Sequence, residues 1–366
     1  MTLHLYFARK FTLAVLAIFA GFATILVLIT MVEQLRDFGV GTIGLRESLH
    51  LAALRVPADL YTILPLVIVL ATVTLFLGLA RTSELVVTRA SGRSALRSLI
   101  APVAMALVFG LLAVAIMNPI VAATSKRFEV VSSHYEGAEV SVLSVSAEGL
   151  WMRQGGAAGQ MVIRADRANP EGTRFFDVTF LAFGPDGSPA WRMEAEQAAL
   201  TPRGWDIRDA KRWTFGLEAP NPEATAIEEV RVVLPSDLTS ERIRDSFARP
   251  SAIAIWDLPD FIASLERAGF SARAHRVWLQ MELALPLILT AMVLLGAGFT
   301  MRHTRFGRTG PMVILALGLG LGLFFLRNFA QVLGENGQIP VALAAWSPPA
   351  AGILLSLGLL LHLEDG

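Results

Sequence analysis

The side chains with chemical potential in this 366-residue sequence are cations and a few acids set against long apolar runs. Six histidines (His4, His50, His134, His275, His303, His362) are scattered without HExxH spacing, and no GxSxG is present. Neither a zinc-hydrolase helix nor a serine-nucleophile turn can be built from them. The three lysines (Lys10, Lys126, Lys211) never follow glycine, which excludes a Walker phosphate loop. Cysteine is absent, so disulfides and thiolate metal sites are excluded as well. What remains is anion binding by arginine, whose planar fork matches phosphate and carboxylate. One set lies in the stretch RTSELVVTRASGRSALRS, residues 81–98, with four arginines and the single acid Glu84.

The elements that position these cations follow from hydropathy. With 54% hydrophobic and 17% charged residues, mean hydropathy +0.56 and zero net charge, the chain reads as a membrane protein, and nucleic acid is not an expected partner. Uncharged runs at 11–32, 60–80 and 99–121 each reach the roughly 20 residues that a helix needs to cross a bilayer. Further runs at 283–301, 312–332 and 339–361 give a 3+3 arrangement of six spans. Arg9 and Lys10 precede the first run, which is too long for a signal-peptide core and is read as a retained span. Residues 39–56 read as a separate amphipathic helix at the outer interface, with Pro57 opening the second span. Pro286 is a candidate kink in the fourth span, and Gly318, Gly320 and Gly322 allow close approach in the fifth.

The basic stretch lies at one membrane face between spans two and three. Ser83 can cap a short helix there, Glu84 suits its first turn and Gly92 its end; Ser94 can cap the next. Such a helix either docks a soluble partner or is an ordinary loop. Counting cations, nine (Arg9, Lys10, Arg81, Arg89, Arg93, Arg97, Arg302, Arg305, Arg308) stand on one side against three (Arg36, Arg46, Arg55) on the other. That places both termini in the cytoplasm and the central insertion outside. Between residues 124 and 256 hydropathy drops and period-2 stretches recur at 140–145, 150–153, 160–164, 175–183, 190–200, 205–215 and 227–234, which predicts an all-β sandwich or jelly roll. Residues 257–268 read as a connecting helix capped by Asp257 and ended by Gly269.

By topology, Arg36, Arg46, Arg55, Lys126, Arg127, Arg273, Arg276 and Arg327 gather near the outer face. They suit the phosphates of an anionic amphiphile, and each has an alternative role as an interfacial anchor. The spans show no buried acid or histidine relay of the kind a proton-coupled transporter needs; Glu282 falls at the edge of the fourth.

Several segments resemble the LptF/LptG family of lipopolysaccharide-export ABC permeases, closest to its LptG branch. They are LARTSELVVTRASG at the end of span two, MVEQLRDFG after span one, RVPADLYTILP, SVLSVSAEGLWMR, AGFSARAHRVWLQMELALP and IPVALAAWSPP. The resemblance implies six transmembrane helices with an inserted periplasmic β-jelly roll. The expected domains are spans one to three with a coupling helix at about 83–92 (1–123), the β-jelly roll (124–256), and the connecting helix with spans four to six (257–366). It implies a non-enzymatic transport subunit in the bacterial inner membrane, without a cofactor. Its implied partners are an LptF-type permease, an LptB-type ATPase dimer and LptC/LptA-type jelly-roll bridge proteins, with lipopolysaccharide as cargo. ATPase-facing positions would be Ser83, Glu84, Leu85, Val86, Arg89, Ala90 and Gly92, with Glu84 pairing a partner cation. Lipid-facing positions would be Arg36, Arg55, Lys126, Arg127, Arg276 and Arg327. The chain departs from the family at Gln280 and Glu282, where a basic residue is common, and at Ala58, where some members carry lysine. The alternative reading is a membrane-anchored periplasmic scaffold or receptor without transport.

Overall fold

The computed structural model describes residues 2–38, 43–90, 94–136, 143–146, 149–156, 159–169, 172–184, 186–215, 221–236, 249–301 and 309–364. They fall into two compact units, one of Met1–Glu136, Ser251–Trp256 and Arg273–Gly366, the other of Gly137–Pro250 and Asp257–Ala272.

The first unit is helical. It holds α1 (Thr2–Asp37), α2 (Leu45–Arg81), α3 (Glu84–Ala90), α4 (Ala95–Leu112) and α5 (Asn118–Glu136). Among the described residues, five helical stretches are long and apolar enough to cross a membrane (Leu3–Asp37, Leu45–Arg81, Leu96–Ser132, Gly310–Glu335, Val341–His362), and a pair of helices bent by 49° passes the same criteria together as a candidate sixth. The apolar core runs through Phe7, Phe11, Val67, Ile68, Phe76, Leu79, Leu289 and Met292.

Two boundaries differ from the sequence reading. No separate helix occupies the described part of 39–56: α2 begins at Leu45 and continues through Pro57 and Pro65. An internal proline costs about 3 kcal/mol. Leu51 and Val56 are buried, and at about 1.5–3 kcal/mol each they match that cost. The Ser48 hydroxyl also donates to the Met31 carbonyl on α1 at 3.0 Å. The third span likewise does not close at Asn118-Pro119. A π-helical turn, Ala113–Met117, joins α4 to α5, and the helix runs on to Glu136. Pro119 has no N–H for the Ala115 carbonyl; the Asn118 N–H reaches back five residues to Ala113, and the Trp256 indole N–H donates to Ala115 at 3.3 Å. The helix survives because the lost bond is replaced from outside.

The second unit is β-rich. Its strands are β1 (Leu143–Ser146), β2 (Gly149–Gly156), β3 (Gly159–Ala168), β4 (Arg174–Phe183), β5 (Pro189–Thr201), β6 (Gly204–Thr214) and β7 (Ile227–Leu234). They form one antiparallel sheet in sequential order, so each period-2 stretch became one strand. The described strands form one up-and-down meander without a crossover, where the alternation and the family resemblance both lead one to expect a sandwich or jelly roll. Leu150, Ile163, Phe180, Met193 and Ile207 are buried, with Trp205 edge-on to Phe175 at 5.2 Å and to Phe180 at 5.9 Å. Helix α6 (Leu258–Arg267) belongs here, burying Leu258, Ile262 and Leu265. Asp257 makes no side-chain cap bond. Gly269 stops the helix at φ +86°, where a Cβ would fall 2.0 Å from the Ala168 carbonyl oxygen; only glycine fits.

The chain then re-enters the helical unit with α7 (Arg273–Leu283), α8 (Leu285–Thr300), α9 (Thr309–Glu335) and α10 (Val341–Glu364). The α7/α8 pair is the bent span, with Pro286 in the first turn of α8 as the sequence suggested. Gly110 of α4 meets this break closely: a Cβ there would lie 2.5 Å from Pro286 Cα. Of the three α9 glycines expected to allow close approach, Gly320 packs on Val69 of α2, whereas Gly318 and Gly322 have nothing within 4 Å.

Candidate functional site

Helix α3 is seven residues long, too short to persist alone, and is held by packing. Leu85 and Thr88 are buried on one face, while Val86 and Val87 are 47% and 68% exposed on the other. Ser83 lies at φ 57°, in the left-handed region rather than the extended one of an N-cap, and it turns the chain out of α2. Ser94 does cap α4, accepting from the Arg97 N–H at 3.3 Å. Ala90 ends α3 exposed; Gly92, Arg93 and the loop cations Arg302, Arg305 and Arg308 lie outside the described residues, as does the side chain of Arg89.

The acid of this loop is engaged within its own chain. Glu84 accepts from Lys10 Nζ at 2.9 and 3.1 Å and from the Tyr6 hydroxyl at 2.7 Å, and Thr82 Oγ1 lies 2.9 Å away. The Tyr6 bond, then those from Lys10 and Thr82, hold the carboxyl below the usual carboxylate range against some desolvation. Lys10 also sits over the Tyr6 ring, 4.6 Å from its centroid. The acid expected to pair with a cation of the ATPase thus also has three donors from its own chain, and with 31% of its side chain exposed it keeps an accessible edge.

The lipid-facing candidates divide. Arg36 on α1 and Lys126 and Arg127 on α5 are exposed. The ends of those helices are brought together by the Phe38–Tyr135 ring contact at 5.9 Å. Arg55 is exposed too, yet spends part of its charge on Asp59 at 3.9 Å and stacks over Phe128 at 5.6 Å. Arg276 is exposed. Arg273 is taken up structurally: it donates to the carbonyls of Gly334 and Ile339 at 2.8 and 2.9 Å, capping the end of α9 and its turn.

Arg327 is half-buried and has company that sequence reasoning missed. Glu282 of α7 is completely buried, not at the edge of a span. Its Oε2 accepts from the Tyr61 hydroxyl of α2 and from Asn118 Nδ2 at 3.2 Å. Asn118 Oδ1 in turn accepts from the Ile255 N–H at 2.9 Å. Arg327 lies on α9, which packs against both α7 and α2. The signal available in the sequence was a lone acid beside an apolar run and an Asn-Pro pair inside another.

Together these features define a polytopic α-helical membrane protein with an inserted β unit, cation-lined at one end of its spans and carrying a short amphipathic helix between spans two and three. Over residues 5–362 the sequence matches the family described as lipopolysaccharide export system permease LptF/LptG, and the chain belongs to that family. It is similar to lipopolysaccharide export system permease protein LptG of Haemophilus influenzae, 22% identical over 374 aligned positions covering 100% of this chain and 99% of that one. The protein of the same name from Escherichia coli (strain K12) is 23% identical over 343 positions, covering 92% and 91%.

Proposed function

We propose that this chain is the LptG-type permease subunit of a lipopolysaccharide exporter of the bacterial inner membrane, with both termini cytoplasmic and its β unit in the periplasm. It works beside an LptF-type permease on an LptB-type ATPase dimer. The complex extracts lipid from the membrane and passes it to LptC/LptA-type jelly-roll bridges. The chain is a transport subunit, and hydrolysis of ATP belongs to the partner, consistent with its lack of a Gly-Lys phosphate loop.

The observation that carries this reading is the bond between α3 and α1. Val86 and Val87 present an apolar outer face for the ATPase, and Ser83, Arg89, Ala90 and Gly92 are assigned to the same contact. Leu85 anchors α3 to the helical core and Glu84 fastens it to Lys10. A displacement imposed on α3 by nucleotide-driven closure of the ATPase is thereby passed to the first span, which narrows a lipid cavity and expels its contents. Arg36, Lys126 and Arg127, with Arg55, Arg276 and Arg327 in weaker roles, are assigned to the anionic groups of the cargo.

The test is reconstitution of the chain with an LptF-type and an LptB-type partner in vesicles, following ATP-dependent release of photo-crosslinkable lipopolysaccharide. Arg36→Glu is expected to lower crosslinking from neighbouring positions while the complex still assembles. ATP hydrolysis by the isolated chain overturns the assignment of hydrolysis to the partner, and assembly without lipid release favours a scaffold instead.

A further inference from the structure

Glu282 is a carboxylate with no exposure, and its two oxygens are treated differently. Oε2 holds both donors, from Tyr61 and Asn118, while Oε1 has no hydrogen-bond partner among the described residues. A buried carboxylate oxygen left unpaired is costly, the more so at membrane depth. The nearest remedy is Arg327, which is half-buried and forms no direct hydrogen bond or ion pair among the described residues. A buried acid and a cation on packed helices, each incompletely satisfied, gain by direct fork-to-carboxylate contact where the geometry is good.

The two groups sit on different helices, α7 and α9, that pack against each other. Helix α9 touches α2 through Gly320 and Val69, where an added Cβ would meet Val69 at 3.2–3.6 Å. Towards its outer end it is exposed at Phe325 (60%) and Phe329 (62%). Glu282, by contrast, is tied to α2 and α5 through Tyr61 and Asn118 and sits just before the bend between α7 and α8.

We propose that Glu282 and Arg327 form a latch between the bent fourth span and the fifth. The free Oε1 and the guanidinium pair directly in one position of α9 and stand apart, as here, in another. Glu282 is then a positioning residue for α9, and Arg327 is its counter-ion before it is a lipid ligand. The latch deepens the permease reading and rests on it for its place in the cycle. It is measurable without lipid, nucleotide or partner, so the two can fail separately.

The natural chain has no cysteine, so spin labels at Leu49→Cys on α2 and Phe329→Cys on α9, both exposed positions, can report the separation in full-length protein in lipid nanodiscs. Two distances are expected in the parent. Glu282→Gln and Arg327→Gln each deplete the nearer population by at least about fivefold, the lower end of typical coupling between linked states. Arg327→Lys keeps both populations, and Glu282→Gln with Arg327→Gln is no worse than either alone. A single distance unaffected by either substitution, or strictly additive effects, overturns the latch. If Glu282→Gln does not fold, Arg327→Gln, at a half-buried site, decides the matter alone.

Discussion

The Lys10 ammonium lies 2.9 Å from Glu84 Oε1, tying the first span to a seven-residue helix 74 residues further along the chain. Both side chains are about one-third exposed, at 37% and 31%. The pair is therefore worth no more than about 1 kcal/mol to stability. Its value is directional: it is a rod, not a rivet. Lys10→Met is expected to leave the melting temperature nearly unchanged while lowering lipid released per ATP hydrolysed in the reconstituted complex. Exchange of the two charges, Lys10→Glu with Glu84→Lys, should recover part of the loss. An unchanged ratio in Lys10→Met would remove the mechanical role.

The same link should depend on pH in a defined sense. The Glu84 carboxyl is depressed, first by the Tyr6 hydroxyl and then by Lys10, so its contribution is complete above the ordinary carboxylate range. It is lost as pH falls through the lower folded value. Tyr6→Phe removes the largest cause and should move that loss to higher pH. Infrared titration of the labelled Glu84 carboxylate would read the midpoint in both proteins, and an unmoved midpoint would contradict the assignment.

Asn118 uses both ends of its amide, donating to Glu282 and accepting from the Ile255 N–H. Asn118→Ala leaves that buried N–H unmatched and takes a donor from a buried carboxylate. The expected loss is about 1–3 kcal/mol, read as a fall in melting temperature in detergent. Asn118→Asp keeps the acceptor but places a second acid beside Glu282, and should be no better than alanine.

Gly110 tests the packing of α4 against the break in the fourth span. A Cβ would stand 2.5 Å from backbone at Pro286, and backbone cannot turn aside as a side chain can. Gly110→Ala should cost about 1–3 kcal/mol by overpacking. A melting temperature equal to the parent's would show that α4 and α8 slide apart without loss.

Trp205 is completely buried between Phe175 and Phe180. Trp205→Ala should cost about 3–5 kcal/mol. Hydrogen exchange is expected to rise across β3 to β6 while the buried amides of α8 stay protected. Equal loosening of α8 would mean that the two units do not hold their cores separately.

Much of this architecture is local information. Apolar runs of bilayer length and the alternation of residues 175–183 and 205–215 report burial residue by residue, and every one of the seven alternating stretches became a strand. Ser94 and Gly269 are readable for the same reason, because capping and positive φ are properties of a few consecutive residues. The family resemblance also lies in contiguous words of sequence. Other features are decided only when distant segments meet. Pro57 and Pro119 read as boundaries, yet the helices continue, since the burial of Leu51 and Val56 and the Trp256 indole offset what each proline removes. Glu84 reads as the lone acid of a basic loop, and only folding brings Tyr6 and Lys10 to it from the first span. Glu282 reads as an acid at the margin of a span, and becomes a buried carboxylate because Tyr61, 221 residues away, and Asn118, 164 away, arrive with their donors. Hydropathy registers how much a segment wishes to leave water; it carries no record of which polar group on another helix will satisfy the one exception within it.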